Sequence, residues 1–279
     1  MPELPETETI ARALDALVRD SVITAVAIPR PNVLREHSAD EFGRRLREVA
    51  ITRCWRRAKC IVLDLSTGDR LVVTPRFTGG LFVARRDAAP EPPPSNPDYT
   101  CLALTLSDGR TLRYRDVRRL GTVALMDPAR FAGWTAGIGP EPLDPYLTAP
   151  LFSGFIRVSR RAIKTVLMDQ RRLAGVGNIY ANESLWAARI APTRAAARVT
   201  RAEAATLLAE LQRLLAASIA VGGTTFRDYR DPLGNRGGFA AQLQVYGREG
   251  EPCPRCGVPL SGHHKLEGRA TVWCRGCQR

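Results

Sequence analysis

The chain has 279 residues, with 41 Lys and Arg against 28 Asp and Glu, a formal charge of +13. That length excludes a peptide-sized scaffold and suits about two domains, each with its own core. The arginine-dominated charge excess makes a phosphate-bearing polyanion the natural partner. No run of about eighteen apolar residues occurs and no basic segment followed by an apolar core opens the chain, so neither a membrane span nor a secretory leader is read and a cytoplasmic protein is expected.

The first nine residues are MPELPETET. If Met1 is removed, the Pro2 ring nitrogen becomes a free secondary amine beside Glu3 and Glu6, a candidate nucleophile with candidate acids. Equally, Glu3, Glu6 and Glu8 suit a helix start, where negative charge complements the macrodipole. Ile10, Ala13, Leu14, Leu17 and Val18 have the spacing of one helical face, which predicts a first helix over residues 5–19.

Strand-like runs rich in β-branched residues follow at 22–28, 60–65, 70–74, 99–106, 111–116 and 121–126. The turns STGD and SDGR lie between some of them. The first half therefore reads as a β-sandwich or flattened barrel, with the Pro-rich segment 88–97 as an exposed loop. Residues 128–150, rich in Pro, Gly and Ala, read as an ordered linker.

Beyond it the period becomes helical, at 151–160, 162–170, 178–190 and 200–222. GVGN at 175–178 breaks the second from the third. It leaves backbone N–H groups open at a helix start near Asn178, a setting that accepts phosphate, although a helical hairpin with a glycine turn has the same pattern. Residues 222–243 look loop-like.

Four of the seven cysteines close the chain as C-x2-C-x17-C-x2-C: Cys253, Cys256, Cys274 and Cys277. Each C-x-x-C can offer two thiolates to a tetrahedral ion, so a metal-held ribbon is favoured over a pair of redox sites. VPL (258–260) and RATVW (269–273) are its candidate strands. His263 and His264 lie in its turn and are not needed as ligands. Arg269 lies in the same turn region, where on a DNA-binding protein it can clamp a phosphate, although one more arginine among many reads the same way. Cys54, Cys60 and Cys101 sit in apolar runs, as small buried hydrophobes do.

Seven stretches, MPELPETET, RRAKCIVLDL, RYRDVRRLG, IGPEPL, IKTVLMDQRRLAGVGNIYANESLWAARIAP, GGTTFRD and FAAQLQVYGREGEPCPRCG through RATVWCRGCQ, together resemble the formamidopyrimidine-DNA glycosylase family, the Fpg/Nei superfamily, in order along the chain. The resemblance implies a multidomain α+β fold. Its parts are an N-terminal helix plus β-sandwich (1–127), the linker (128–150), a helix-two-turn-helix domain with a lesion-capping loop (151–243) and a zinc ribbon (244–279) holding one structural Zn2+. It implies a monomeric bifunctional DNA glycosylase and AP lyase of base-excision repair, acting on oxidised purines in duplex DNA. The expected location is the cytoplasm, on the nucleoid when bound. Two alternatives stay open: an Nei-type enzyme for oxidised pyrimidines, and a non-catalytic damage binder on the same scaffold.

Carried over by position, Pro2 resembles the Schiff-base nucleophile and Glu3 the acid that protonates the sugar, with Glu6 a further acidic position. Lys59 resembles the lysine that contacts phosphate and assists strand cleavage, and Arg269 the arginine that clamps the flipped nucleotide. Asn178 resembles the phosphate-binding turn residue, Lys164 a basic residue near the DNA, and 226–239 the loop that covers the flipped base. Phe77, Arg118 and Leu120 align with the inserting trio. This chain departs from the family pattern at Thr74 and Pro97, where histidine is usual, and at Phe77 and Leu120; core residues after strands are the competing reading for the last two.

Overall fold

The computed structural model describes residues 2–84, 99–226 and 228–279. The chain divides into two units, residues 1–135 with 222–238, and residues 136–221 with 239–279. In the first unit, helix α1 (Leu4–Val18) carries Pro5 in its first turn, where a missing N–H has no intrahelical partner to lose. Ile10, Leu14 and Val18, four apart, are fully buried. The helix stops at Arg19, and Asp20, with φ +62, donates its N–H to Ile51 O at 2.7 Å.

Nine strands follow: β1 (Val22–Ala27), β2 (Leu34–Arg35), β3 (Val49–Arg57), β4 (Cys60–Leu65), β5 (Arg70–Thr74), β6 (Gly79–Ala84), β7 (Thr100–Leu106), β8 (Thr111–Asp116) and β9 (Thr122–Met126). Their order is β2-β9-β5-β4-β3-β1-β7-β8-β6, and only β2 and β9 pair in parallel. β1 and β3 share two residue pairs, Val22–Ala50 and Ile23–Val49. Residues from both sides of that junction, among them Ile61, Leu63, Val73 and Val123 on one side and Leu81, Leu102, Leu104 and Leu112 on the other, form one core with α1. This is the expected sandwich.

The apolar run CIVLDL is explained by burial on two faces. Ile61, Leu63 and Leu65 enter the main core, while Cys60 and Val62 face a second cluster with Phe131, roofed in part by Trp55 and Trp134. Phe131 and Trp134 come from helix α3 (Pro128–Ala136), so the first nine residues of the expected linker are helical. Cys54, Cys60 and Cys101 are buried, as read. Helix α2 (Ala39–Leu46), capped by the Ser38 hydroxyl accepting from Glu41 N at 3.2 Å, buries Phe42 and Leu46.

The second unit packs α4 (Ala149–Arg157), α5 (Ile163–Met168), α6 (Asn178–Ala187) and α7 (Arg201–Ala220) around Phe152, Ile156, Val166, Tyr180 and Leu211. Thr200 and Glu203 form a capping box at the start of α7. The unit closes with a two-stranded ribbon, β10 (Ser261–His263) and β11 (Thr271–Trp273). β10 thus begins just beyond the VPL expected to form it. Val245, Cys253, Leu260, Val272 and Cys274 make the ribbon's small core, against which Trp186 of α6 packs. Pro97 and the expected loop 88–97 lie outside the described residues. Among the described residues, no helix is long and apolar enough to cross a membrane.

Candidate active site

Pro2, Glu3 and Glu6 are all buried in the first unit, Glu3 at 2% exposure and Glu6 at 1%. The Glu6 carboxylate accepts the Glu3 N–H at 2.8 Å on one oxygen and the Thr224 N–H at 2.7 Å on the other. Glu6 therefore ties the start of α1 to the segment 222–238. That segment, read from the sequence as the end of the helical domain, packs within the first unit for this reason. Gly223, with φ +86, places its backbone so near Glu6 that a Cβ would lie 3.1 Å from Glu6 Cγ. Tyr229 adds a second tie, its hydroxyl donating to Gly222 O at 3.1 Å and Glu6 O at 3.4 Å. Burial, and then the Glu6 charge, raises this phenol above its ordinary range, so it stays a donor.

Pro2 lines a cleft of about 20 Å³ together with Phe77, Gly79, Phe82, Asp228 and Tyr229. The neighbouring acid Glu8 is differently placed. Burial opposes its ionisation, but Arg56 at 2.8 Å and Arg12 at 2.7 Å outweigh it and hold the carboxyl below the usual range. Glu8 is thus a structural anion rather than a proton donor.

Lys59 sits in the two-residue turn between β3 and β4, half-buried, beside Ala58 with φ +52. Left-handed alanine is uncommon, so the hairpin holds a strained turn where it presents this lysine. Phe77 is 40% exposed and Leu120 43%. Neither is a core residue, which removes that reading. The Arg118 guanidinium lies over the Phe77 ring, 4.9 Å from its centroid. Thr74, one of the departures, shares a hydrogen bond of 3.2 Å with Cys60.

In the second unit, Asn178 opens α6 directly after Gly177, as the GVGN turn suggests. Gln170 braces that turn, its side chain accepting from Gly175 N and donating to Val176 O. Lys164 reaches from α5 to the ribbon. It is 1% exposed, and its ammonium donates to Ala270 O at 2.7 Å and Thr271 Oγ1 at 2.8 Å. It is thus a strut for the strand that follows Arg269. Asn182 supports the same strand, accepting the Val272 N–H at 2.9 Å. Arg269 is half-buried in the turn between β10 and β11.

The sulfurs of Cys253, Cys256, Cys274 and Cys277 lie within 4.8 Å of one another, with Cys256–Cys274 at 3.4 Å and Cys253–Cys277 at 4.0 Å. A tetrahedral ion bound at about 2.3 Å places its sulfurs about 3.8 Å apart, so the four thiols fit a thiophilic metal. The histidines stay outside the cluster. His263 instead packs edge-on against Trp273, with ring centroids 4.9 Å apart.

Sequence reasoning missed four residues that hold these groups in place. Asp116, inside RYRDVRRLG, is fully buried, and so in effect is Glu183, whose carboxylate accepts the N–H groups of Gln244, Val245 and Tyr246. Asn182 and Tyr229 complete the set. An acid flanked by arginines or set within a helical run is the available signal, but such acids normally read as solvated.

A helix on a β-sandwich, with a helical unit that ends in a four-cysteine ribbon, is an architecture that can be compared directly. Residues 1–123 match the formamidopyrimidine-DNA glycosylase N-terminal domain, and residues 138–230 match the formamidopyrimidine-DNA glycosylase H2TH domain. The chain is 41% identical to the formamidopyrimidine-DNA glycosylase of Thermomicrobium roseum, over 100% of this chain and 99% of that one. Among solved structures, a Lactococcus lactis Fpg mutant bound to Fapy-dG DNA covers 100% of each chain at a TM-score of 0.90 and 30% identity. The Lactococcus lactis Fpg bound to abasic-site DNA covers 99% of each at 0.89 and 30% identity. These matches define a DNA-repair glycosylase class. The chain belongs to the formamidopyrimidine-DNA glycosylase family.

The thiol cluster generates a prediction. Stripping metal with a strong chelator, or Cys274→Ser, will abolish hydrogen-exchange protection in the ribbon while leaving β3, β4 and β5 protected, because the ribbon's core is too small to hold without an ion. Full ribbon protection in metal-free protein contradicts this.

Proposed function

We propose that the chain is a bifunctional DNA glycosylase and AP lyase that removes oxidised purines, such as 8-oxoguanine and formamidopyrimidines, from duplex DNA. The observation that carries this reading is the placement of Pro2 in a cleft next to two buried acids, one of which fastens the segment 222–238 to the helix that Pro2 precedes. The Fapy-dG and abasic-site DNA held by the structural relatives supports the substrate class.

Once Met1 is removed, the Pro2 nitrogen is a secondary amine whose ordinary pKa, near that of an α-amino group, leaves a usable unprotonated fraction at neutral pH. Its lone pair attacks C1′ of the damaged nucleotide as the bond to the base breaks, and the proton that the nitrogen then sheds goes to the departing base. Glu3 gives a proton to the sugar ring oxygen as the ring opens, leaving a cationic iminium between Pro2 and C1′. A secondary amine cannot shed a proton to reach a neutral imine, so the iminium stays an electron sink and acidifies C2′. Loss of the C2′ proton expels the 3′ phosphate, a second elimination expels the 5′ phosphate, and water then frees Pro2.

The other residues bind and orient. Lys59, Asn178 and Arg269 are assigned to phosphates, and a structural zinc ion to the four thiolates. Phe77 and Leu120 fill the gap left by the flipped nucleotide, and Arg118 offers its donors to the acceptors of an unpaired cytosine opposite. The cleft beside Pro2 has room for about one water, so admitting a base requires the side chains that line it to move. The protein is assigned to act as a monomer in the cytoplasm, on chromosomal DNA.

Two predictions test the reading. Against duplexes carrying 8-oxoguanine, formamidopyrimidine, oxidised thymine, uracil or a bare abasic site, the protein will nick the oxidised purines and the abasic site fastest. A form that retains Met1, whose proline nitrogen is a delocalised amide, will nick none. Equal activity of the Met1-retaining form removes Pro2 as nucleophile, and preference for oxidised thymine moves the chain to the Nei type. The second concerns Phe77. Base–aromatic stacking is worth about 1–3 kcal/mol, so Phe77→Ala will slow cleavage of paired lesions about tenfold or more while sparing a lesion in single-stranded DNA and changing thermal stability little. Equal loss on both substrates contradicts insertion.

A further inference from the structure

The three residues assigned to the duplex gap stand on two separate loops, and both loops are fastened to one buried carboxylate. Asp116, the last residue of β8, is fully buried. One of its oxygens accepts the Thr78 hydroxyl at 2.6 Å and the Arg118 N–H at 3.2 Å. The other accepts the Gly121 N–H at 2.8 Å and the Tyr114 hydroxyl at 3.2 Å. Its backbone carbonyl accepts the Arg119 N–H at 3.3 Å. A carboxylate has about four lone-pair sites, and all four are used. Thr78 closes the figure by accepting the Arg118 N–H at 3.0 Å, so the residue after Phe77 holds the backbone of the arginine stacked on Phe77.

The two loops need such a fastening. Arg76, just before Phe77, has φ +53, and Arg119, between Arg118 and Leu120, has φ +52. Left-handed backbone at a residue with a side chain persists only where its surroundings hold it. The packing leaves no slack, since a Cβ on Gly121 would lie 1.9 Å from the Tyr114 hydroxyl and 2.6 Å from Thr74 O.

We infer that Asp116, acting with the Thr78 hydroxyl, is the positioning residue that keeps Phe77, Arg118 and Leu120 in one register and thereby sets how strictly the base opposite the lesion is discriminated. Asp116 touches no substrate in this account. It fixes where the Arg118 donors stand relative to the Phe77 ring, which decides whether the guanidinium meets an opposite base squarely. This rests on the glycosylase reading above and extends it to specificity.

The test measures cleavage of 8-oxoguanine opposite cytosine and opposite adenine, alongside cleavage of an abasic site in single-stranded DNA, for wild type, Asp116→Asn, Thr78→Val and Thr78→Ser. Asparagine replaces one acceptor oxygen with a donating amide, so one pair of donors loses its partner. In Asp116→Asn and Thr78→Val the cytosine-to-adenine ratio will fall by about tenfold toward unity, the size expected when a hydrogen bond to a buried charge is lost. Single-stranded cleavage will hold near wild type, and Thr78→Ser, which keeps the hydroxyl, will keep the ratio. An unchanged ratio in Thr78→Val, a ratio that falls only together with single-stranded cleavage, or a wild type indifferent to the opposite base overturns the inference. If Asp116→Asn does not fold, the valine and serine variants decide. If wild-type protein cleaves nothing, the glycosylase reading fails by itself. The same ratio is then read as affinity for a duplex with a tetrahydrofuran site opposite cytosine or adenine, with the same outcomes deciding.

Discussion

Everything proposed for Pro2 depends on the Glu6 carboxylate. A buried carboxylate is tolerated only when its oxygens are satisfied, and Glu6 is satisfied by two backbone N–H groups from segments more than two hundred residues apart in sequence. One is the first orphan donor of α1 and the other belongs to the turn at Gly223–Thr224. Pro2 is therefore placed by the helix behind it, and the segment that lines its cleft is anchored to the same helix. Leaving either donor unsatisfied costs about 1–3 kcal/mol, enough to loosen both walls together.

Glu6 is not alone among the buried acids in this use. Asp116 gathers the loops of Phe77 and Arg118, and Glu183 gathers three successive N–H groups where the chain enters the ribbon. These few acids are tolerated inside because they accept backbone donors, while most charged side chains, the arginine excess included, remain outside, where that excess suits a phosphate backbone. Lys164 is held inside by the same rule. As a buried cation it is satisfied by a carbonyl and a hydroxyl of the ribbon, and so holds the strand beside Arg269.

The large features were legible because they rest on local patterns. The i, i+4 stripe of Ile10, Leu14 and Val18, the doubly buried CIVLDL and the paired C-x-x-C motifs each declare an element without reference to distant residues. What was not legible depends on tertiary context. β3 reads as VAITRCWRR, and its arginines hide a strand whose Cys54 and Ile51 face the core. β6 opens on two glycines, a poor strand signal, and α3 contains Gly133 on an exposed face, where it meets no neighbour. Among the candidate site residues, Pro2, Glu3, Glu6 and the four cysteines stand out by motif alone. The exposure of Phe77 and Leu120 and the burial of Lys164 had to be seen, because an apolar residue after a strand and a lysine on a helix can each face either way. Asp116 was hidden in plain sight, an acid among arginines whose side-chain oxygens also accept from Thr78, nearly forty residues earlier in the chain.

The central claim, that the ring nitrogen of Pro2 is the attacking group, is tested most directly by reducing the reaction with borohydride on abasic-site DNA and mapping the covalent adduct by peptide mass spectrometry. The account predicts a single stable adduct on the N-terminal peptide, with the added mass on Pro2 and none on Lys59. An adduct on Lys59 or any other lysine, or no adduct from protein that nicks the same DNA, contradicts it.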